Sequence, residues 1–370
     1  MAKRRLQQLT ELGQSVWIDS LSREMLESGE LERLIGEDSV SGVTSNPTIF
    51  QKALAEGDWY DSELRELASL DKTSEIFFRL AENDVRQACD ILRPIHEKTC
   101  GIDGYVSLEV DPTLAYDGES TYTQTLRLHS EVDRPNLYVK IPATRPGLPA
   151  IEDAIAAGHS VNITLIFSLQ RYVEVVDAYL RGLERRIAAA GDVSRINSVA
   201  SFFVSRVDSK ADKRLEAIGS PEALALRGKL AVANAKLAYR HYQEVFSSER
   251  WQYLVSKGAR AQRCLWASTS TKNPAYPDTL YVSELIGPDT VNTMPIETVR
   301  AFQDHGTAAE TLTKGTDEAK LLLEQIEAAG VSYAELVDTL EAEGVQKFAD
   351  SFAELLNGIE TKLKKLEVRR

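Results

Sequence analysis

The chain has 370 residues, 43% of them hydrophobic, which is enough for one large domain or two smaller ones and excludes a disordered or fibrous polymer. Its 43 Lys and Arg stand against 56 Asp and Glu, a formal net charge of -13, which argues against nucleic acid or an anionic membrane surface as the main partner. An anionic substrate would need a local positive focus inside an unfavourable overall field.

The first stretch, MAKRRLQQLTELGQS, is basic but has no following apolar run, so no secretory leader is expected. No apolar run elsewhere approaches the length of a membrane span. Strands are predicted over VWIDS (16–20) and GVTSN (42–46), followed by an amphipathic helix through AENDVRQACDILRPIHEKT. GYVSLEV (104–110) and LYVKIPA (137–143) read as strands three and four, GLPAIEDAIAAG as a helix, and SVNITLIF (160–167) as strand five. In LQRYVEVVDAYLRGLERRIAAAG, Tyr172, Val175, Val176, Tyr179 and Leu183 recur at helical spacing. INSVASFFVSRV (196–207) is strand six, Pro221 to Phe246 one long helix, RCLWAST (263–269) strand seven and TVNTM (290–294) strand eight. From about Tyr333 onward the pattern is helical again.

Eight strands alternating with helices suit an α/β chain closed as a (β/α)8 TIM barrel. Residues 1–370 then form a single barrel domain, with 333–370 a C-terminal helical extension. An open doubly wound sheet is the alternative, but no GxGxxG follows the first strand. Cys89, Cys100 and Cys264 lie far apart and never in a CxxC pair, which fits a reducing cytosol and argues against a disulfide scaffold or a zinc site. His96, His129, His159, His241 and His305 fall mostly on helices or loops without metal-ligand spacing, so they read as structural or surface residues. No metal or cofactor is expected.

The strand period of two separates two faces. Asp19 lies opposite Val16 and Ile18, and Thr44 and Asn46 lie opposite Val43. Ser107 and Glu109 oppose Val106, Leu108 and Val110, and Lys140 opposes Val139 and Ile141. Asn162 and Thr164 oppose Val161, Ile163 and Leu165; Cys264, Trp266 and Ser268 oppose Leu265 and Ala267. If the aliphatic faces pack on the helices, the polar faces point into the barrel, mostly towards the strands' C-terminal ends, where barrel enzymes do their chemistry. Each residue also has a plainer reading. Lys140 could simply pair with Glu109 or Asp19, and Asn46–Pro47 could be the N-cap and first position of a helix. Trp266 and Phe203 read as barrel core.

A lysine amine attacks a carbonyl only when neutral, and an apolar pocket disfavours its ammonium form. The iminium it forms is an electron sink, so a C–C bond beta to it can break. One group must then take the proton of the departing aldehyde's hydroxyl, and another must shuttle protons while the carbinolamine dehydrates. Asp19 and Glu109, on different strands, match those two jobs, and Asn46 and Asn162 could hold sugar hydroxyls.

The segments WIDSLSRE, GVTSNPTIFQ, SLEVDP, LYVKIPAT, VNITLIFS, SFFVSRVD and ASTSTKNP together resemble transaldolase, in the family's order and over roughly residues 10 to 300. The length and ASTSTKNP are similar to its longer bacterial form. The resemblance implies a cytoplasmic Schiff-base enzyme of the pentose phosphate pathway, a monomer or homodimer acting on sugar phosphates. It would move a dihydroxyacetone unit from sedoheptulose 7-phosphate to glyceraldehyde 3-phosphate, giving erythrose 4-phosphate and fructose 6-phosphate. By motif position, Lys140 would be the Schiff-base lysine and Asp19 the acid–base group for C–C cleavage. Glu109 and Thr164 would hold the proton-relaying water, Asn46 and Asn162 would orient the donor, and Ser201 would line the pocket. Arg206 would bind phosphate with help from Ser268. Shorter transaldolases carry a second phosphate-binding arginine where this chain has Ser270; nearby Lys272 is the cation that would replace it. A class I aldolase releasing the three-carbon unit to water, and a catalytically silent sugar-phosphate-binding barrel, are the alternatives.

Overall fold

Each of the eight short runs rich in β-branched and aromatic residues forms a strand: β1 Gln14–Asp19, β2 Val40–Thr44, β3 Val106–Glu109, β4 Leu137–Pro142, β5 Val161–Ile166, β6 Ser198–Phe203, β7 Arg263–Ala267 and β8 Thr290–Met294. In the computed structural model, which describes residues 4–55 and 57–368, these strands close in sequence order into one parallel barrel with helices between them. The fold is a (β/α)8 barrel with additional C-terminal helices. Residues 1–3 of the basic start and the last two residues of the predicted 333–370 extension lie outside the described residues. No helix among the described residues is long and apolar enough to cross a membrane.

Parallel partners share a face, so the register decides what points inward. Glu109 pairs with Lys140 and Lys140 with Asn162, which sets these three polar side chains in register, while Thr164 pairs with Pro142 two residues further towards the strand ends. Below them the barrel is filled by large rings. Trp17 donates its indole N–H to Asp103 at 2.7 Å, and Tyr138 stacks on Tyr105 with centroids 4.0 Å apart. Trp17 fits because Gly42 faces it from β2: a Cβ there would sit 2.4 Å from the indole.

Two expectations are corrected. On β7, Ser201 pairs with Leu265 and Phe203 with Ala267, so Leu265 and Ala267 face inward rather than Cys264 and Trp266. Cys264 Sγ lies 3.1 Å from the Tyr172 hydroxyl on the Leu169–Ala188 helix, and Trp266 packs edge-on against Phe202. Cysteine and tryptophan are amphipathic enough to serve either face, so the alternation in this run carried no direction. Ser268 still reaches the barrel mouth because it leaves strand geometry, with φ 56 in the left-handed region.

The stretch from Pro221 to Phe246 is two helices, Pro221–Leu224 and Leu230–Val245, with Gly228 at φ 70 between them. Two acids one turn apart on the Ser205–Ile218 helix hold the break: Asp212 accepts the Gly228 N–H at 2.8 Å and Asp208 the Ala231 N–H at 2.7 Å. Helical spacing in the sequence could not show a cap supplied from another helix. The final helix, Tyr333–Val368, begins at the expected residue. It lies close over the barrel mouth because Gly344 has no side chain; a Cβ there would meet Leu165 and Phe167 at 3.2 and 3.3 Å. Leu165 is itself turned by a left-handed φ of 61, where the β5–β6 register shifts.

Candidate active site

At the C-terminal ends of the strands lies a cavity of about 600 Å³, lined among others by Asp19, Asn46, Lys140, Thr164, Ser201, Arg206, Ser268 and Lys272. Eight of the ten residues singled out from the sequence therefore line one cavity. Glu109 and Asn162 are set behind it: both are buried, and neither lines this cavity.

Lys140, only 5% exposed, projects from the middle of β4 with Nζ 3.5 Å from Glu109 Oε2 and donates to the Ser45 carbonyl at 3.1 Å. The pairing expected as the plain alternative is thus present, at a distance that is a charge contact rather than a close hydrogen bond. Burial raises the Glu109 carboxyl to about 7, and Lys140 only partly offsets that rise. Neither carboxylate oxygen of Glu109 nor the hydroxyl of Thr164 has a hydrogen-bond partner among the protein groups. Buried polar atoms are ordinarily satisfied, so the Glu109 carboxylate, whose Oε2 has only the Lys140 charge contact, and the Thr164 hydroxyl at the cavity wall have capacity left for a polar guest.

Asp19, at the end of β1, accepts the Thr44 hydroxyl at 2.8 Å, and Thr44 shares a 2.7 Å contact with Thr293. That chain fixes the carboxylate on the cavity wall across from Lys140's strand. Asn46 Oδ1 accepts the Ile49 N–H at 3.1 Å as the cap of the Pro47–Ala55 helix, and Asn46 also lines the cavity. Asn162 is locked between neighbours, donating to Ser107 at 3.0 Å and accepting from Ser201 at 2.6 Å. Its effect on a guest would pass through Ser201.

The outer wall is cationic. Arg206 stands in the first turn of the Ser205–Ile218 helix, with its guanidinium carbon 5.2 Å from the Phe203 ring centroid and 5.9 Å from that of Phe348. Burial pushes it below the ordinary guanidinium value. Ser268 meets Ser205 hydroxyl to hydroxyl at 2.9 Å, and Lys272 donates to Ser270 at 2.6 Å. Lys272 is held below the usual lysine range by burial first, then by Lys347 and Arg206. Arg206, Lys272, Lys347 and Lys52 line this side of the cavity, with Asp19 the carboxylate that acts on both Arg206 and Lys272, and together they form the local positive focus that the net charge demanded.

Among the lining residues that escaped the sequence reading are Lys52, Glu297, Phe203 as a wall rather than core, and Lys347 with Phe348 from the Tyr333–Val368 helix. Gly344, Lys347 and Phe348 are spaced i, i+3, i+4, a signal of one helix face, but nothing in the sequence says that this face covers the barrel. The histidines lie elsewhere. His129 and His159 stack at 4.4 Å, His96 and His241 edge onto Tyr105 and Tyr172, and His305 meets Asp278 and Asp304.

The family profile described as transaldolase/fructose-6-phosphate aldolase matches residues 16–359. Among curated relatives, a transaldolase of Thermobifida fusca (strain YX) is 56% identical over 360 residues, covering 97% of this chain and 98% of its own. One from Parafrankia sp. (strain EAN1pec) is 52% identical over 361 residues, covering 97% and 98%. Transaldolase 2 of Streptomyces coelicolor (strain ATCC BAA-471 / A3(2) / M145) is 51% identical over 363 residues, covering 98% of each chain.

Proposed function

The chain belongs to the transaldolase/fructose-6-phosphate aldolase family and transfers a dihydroxyacetone unit, and we propose that it does so between sugar phosphates through a Schiff base on Lys140. The observation that carries this reading is Lys140 itself, buried 3.5 Å from Glu109 at the floor of a cavity whose outer wall is cationic.

The unprotonated Lys140 amine attacks the ketose carbonyl, and the carbinolamine loses water to give an iminium. Glu109, with its carboxyl raised to about 7, is placed to take and return protons at neutral pH, with Thr164 beside it to hold the water released. Asp19 takes the proton from the hydroxyl of the leaving aldehyde as the C–C bond beta to the iminium breaks. The electron pair moves into the iminium and leaves an enamine on Lys140. An acceptor aldehyde then enters, the enamine carbon attacks it, and Asp19 returns the proton to the new alkoxide. Asn46 and Ser201, the latter held by Asn162, orient the donor hydroxyls. Arg206, Ser268 and Lys272 hold the phosphate, with Lys272 standing in for an arginine at Ser270.

Transfer rather than hydrolysis requires the enamine to be kept from water. Phe348 supports that, its ring 5.9 Å from both Lys140 Nζ and the Arg206 guanidinium. With sedoheptulose 7-phosphate as donor, erythrose 4-phosphate should exceed one equivalent per enzyme only when glyceraldehyde 3-phosphate is present. Free dihydroxyacetone released at a comparable rate without acceptor would contradict the reading and support an aldolase. The proposal takes residues 1–370 as one barrel domain with its 333–370 extension, cytoplasmic and monomeric or homodimeric, which light scattering of the purified chain tests.

A further inference from the structure

We propose that Lys347, on the C-terminal helix, is a ligand of the substrate phosphate and makes that helix part of the binding site; this rests on the sugar-phosphate reading above. Among the described residues, the helix Tyr333–Val368 lines the cavity with Lys347 and Phe348, one turn after Gly344. Gly344 lets the backbone approach Leu165 and Phe167, and three and four residues on, Lys347 and Phe348 enter the cavity wall side by side. Phe348 lies against Lys140 and Arg206. Lys347 thus hangs beside the guanidinium from the side opposite the barrel.

What distinguishes Lys347 is its company. No carboxylate among the described residues lies within ion-pairing distance of it, and its charged neighbours are Arg206, Lys52 and Lys272. Its ammonium is held below the usual lysine range chiefly by Arg206. Three cations from three elements, Arg206, Lys272 and Lys347, repel one another around one end of the cavity in a protein of formal charge -13. A dianionic phosphate placed among them removes that repulsion and supplies acceptor oxygens to each. The same three residues also edge a groove of about 730 Å³ that runs outward past Lys210 and Arg214. There Lys210 is engaged by Glu343 and Arg214 by the Ser332 carbonyl, and Lys213 is exposed, where solvent screens its charge. The anion site is therefore at the shared wall rather than along the groove. With Ser270 where an arginine would stand, the second and third charges come from Lys272 and from a helix more than 70 residues further along the chain.

The test compares Lys347→Ala and Lys347→Arg with the exposed groove residue variant Lys213→Ala. Lys347→Ala should raise KM for fructose 6-phosphate about tenfold or more and weaken inhibition by inorganic phosphate similarly, with kcat little changed. Lys347→Arg should restore much of both, and Lys213→Ala should alter neither. Borohydride trapping with dihydroxyacetone, which carries no phosphate, should proceed equally in wild type and Lys347→Ala. Unchanged KM and unchanged phosphate inhibition in Lys347→Ala would overturn the proposal. Failure of the wild type to be trapped would instead overturn the Schiff-base reading, and the inhibition constants would still report on Lys347.

Discussion

Glu109 is the residue whose environment says most about the chemistry. A free glutamate is ionised well below neutrality, whereas burial holds this one to about 7 beside Lys140. The folded state therefore keeps the proton to higher pH than the unfolded chain does. Its contribution to stability is complete below the ordinary value of 4.5 and is lost as the pH rises through about 7. Glu109→Gln should flatten that decline in denaturant midpoints measured from pH 4 to 8. The same substitution should lower kcat roughly 10²–10⁴-fold. A Glu109→Gln enzyme with wild-type kcat would remove Glu109 from the proton relay. At this scale the sequence was informative because strand alternation is local. Asp19, Glu109, Lys140 and Thr164 each needed only their own strand's period to be set on the inner face, and the register then set Glu109 beside Lys140. That Asn162 sits behind Ser201 rather than on the wall depends on a neighbouring strand, and no local pattern carries it.

Among the elements, the Ser205–Ile218 helix does two jobs with opposite ends of its polarity. Its first turn presents Arg206 to the cavity, and its buried acids hold the break before Leu230–Val245. Asp208 also accepts the Tyr281 hydroxyl at 2.9 Å, so Asp208→Ala would strand two buried donors. The expected loss is about 1–3 kcal/mol for each donor left unsatisfied, read as a lower Tm, with KM for fructose 6-phosphate unchanged. An unaltered Tm would mean that Asp212 and Gly228 hold the break without Asp208. Strands and amphipathic helices were legible wherever their own periodicity determined them. The helix break, the orientation of β7 and the placement of Lys347 were not, since each is decided by a partner far along the chain.

Over the whole molecule, a chain of net charge -13 encloses one cationic end of one cavity. The barrel holds this arrangement by filling its lower half with Trp17, Tyr105 and Tyr138, which leaves the upper half for the site. Closure around those rings depends on Gly42. Gly42→Ala should destabilise by about 1–3 kcal/mol, because the added methyl meets the Trp17 indole and neither side can yield within a packed barrel. Chemical denaturation measures this, and a midpoint equal to wild type would show that the floor is looser than its packing implies.

The central claim is that Lys140 carries the substrate covalently, and reductive trapping tests it most directly. The chain is incubated with fructose 6-phosphate, reduced with borohydride, digested and mapped by mass spectrometry. The account predicts a reduced dihydroxyacetone or hexose adduct on the peptide containing Lys140, lost in Lys140→Ala while that variant remains folded. An adduct on any other lysine, or none on the wild type, would contradict it.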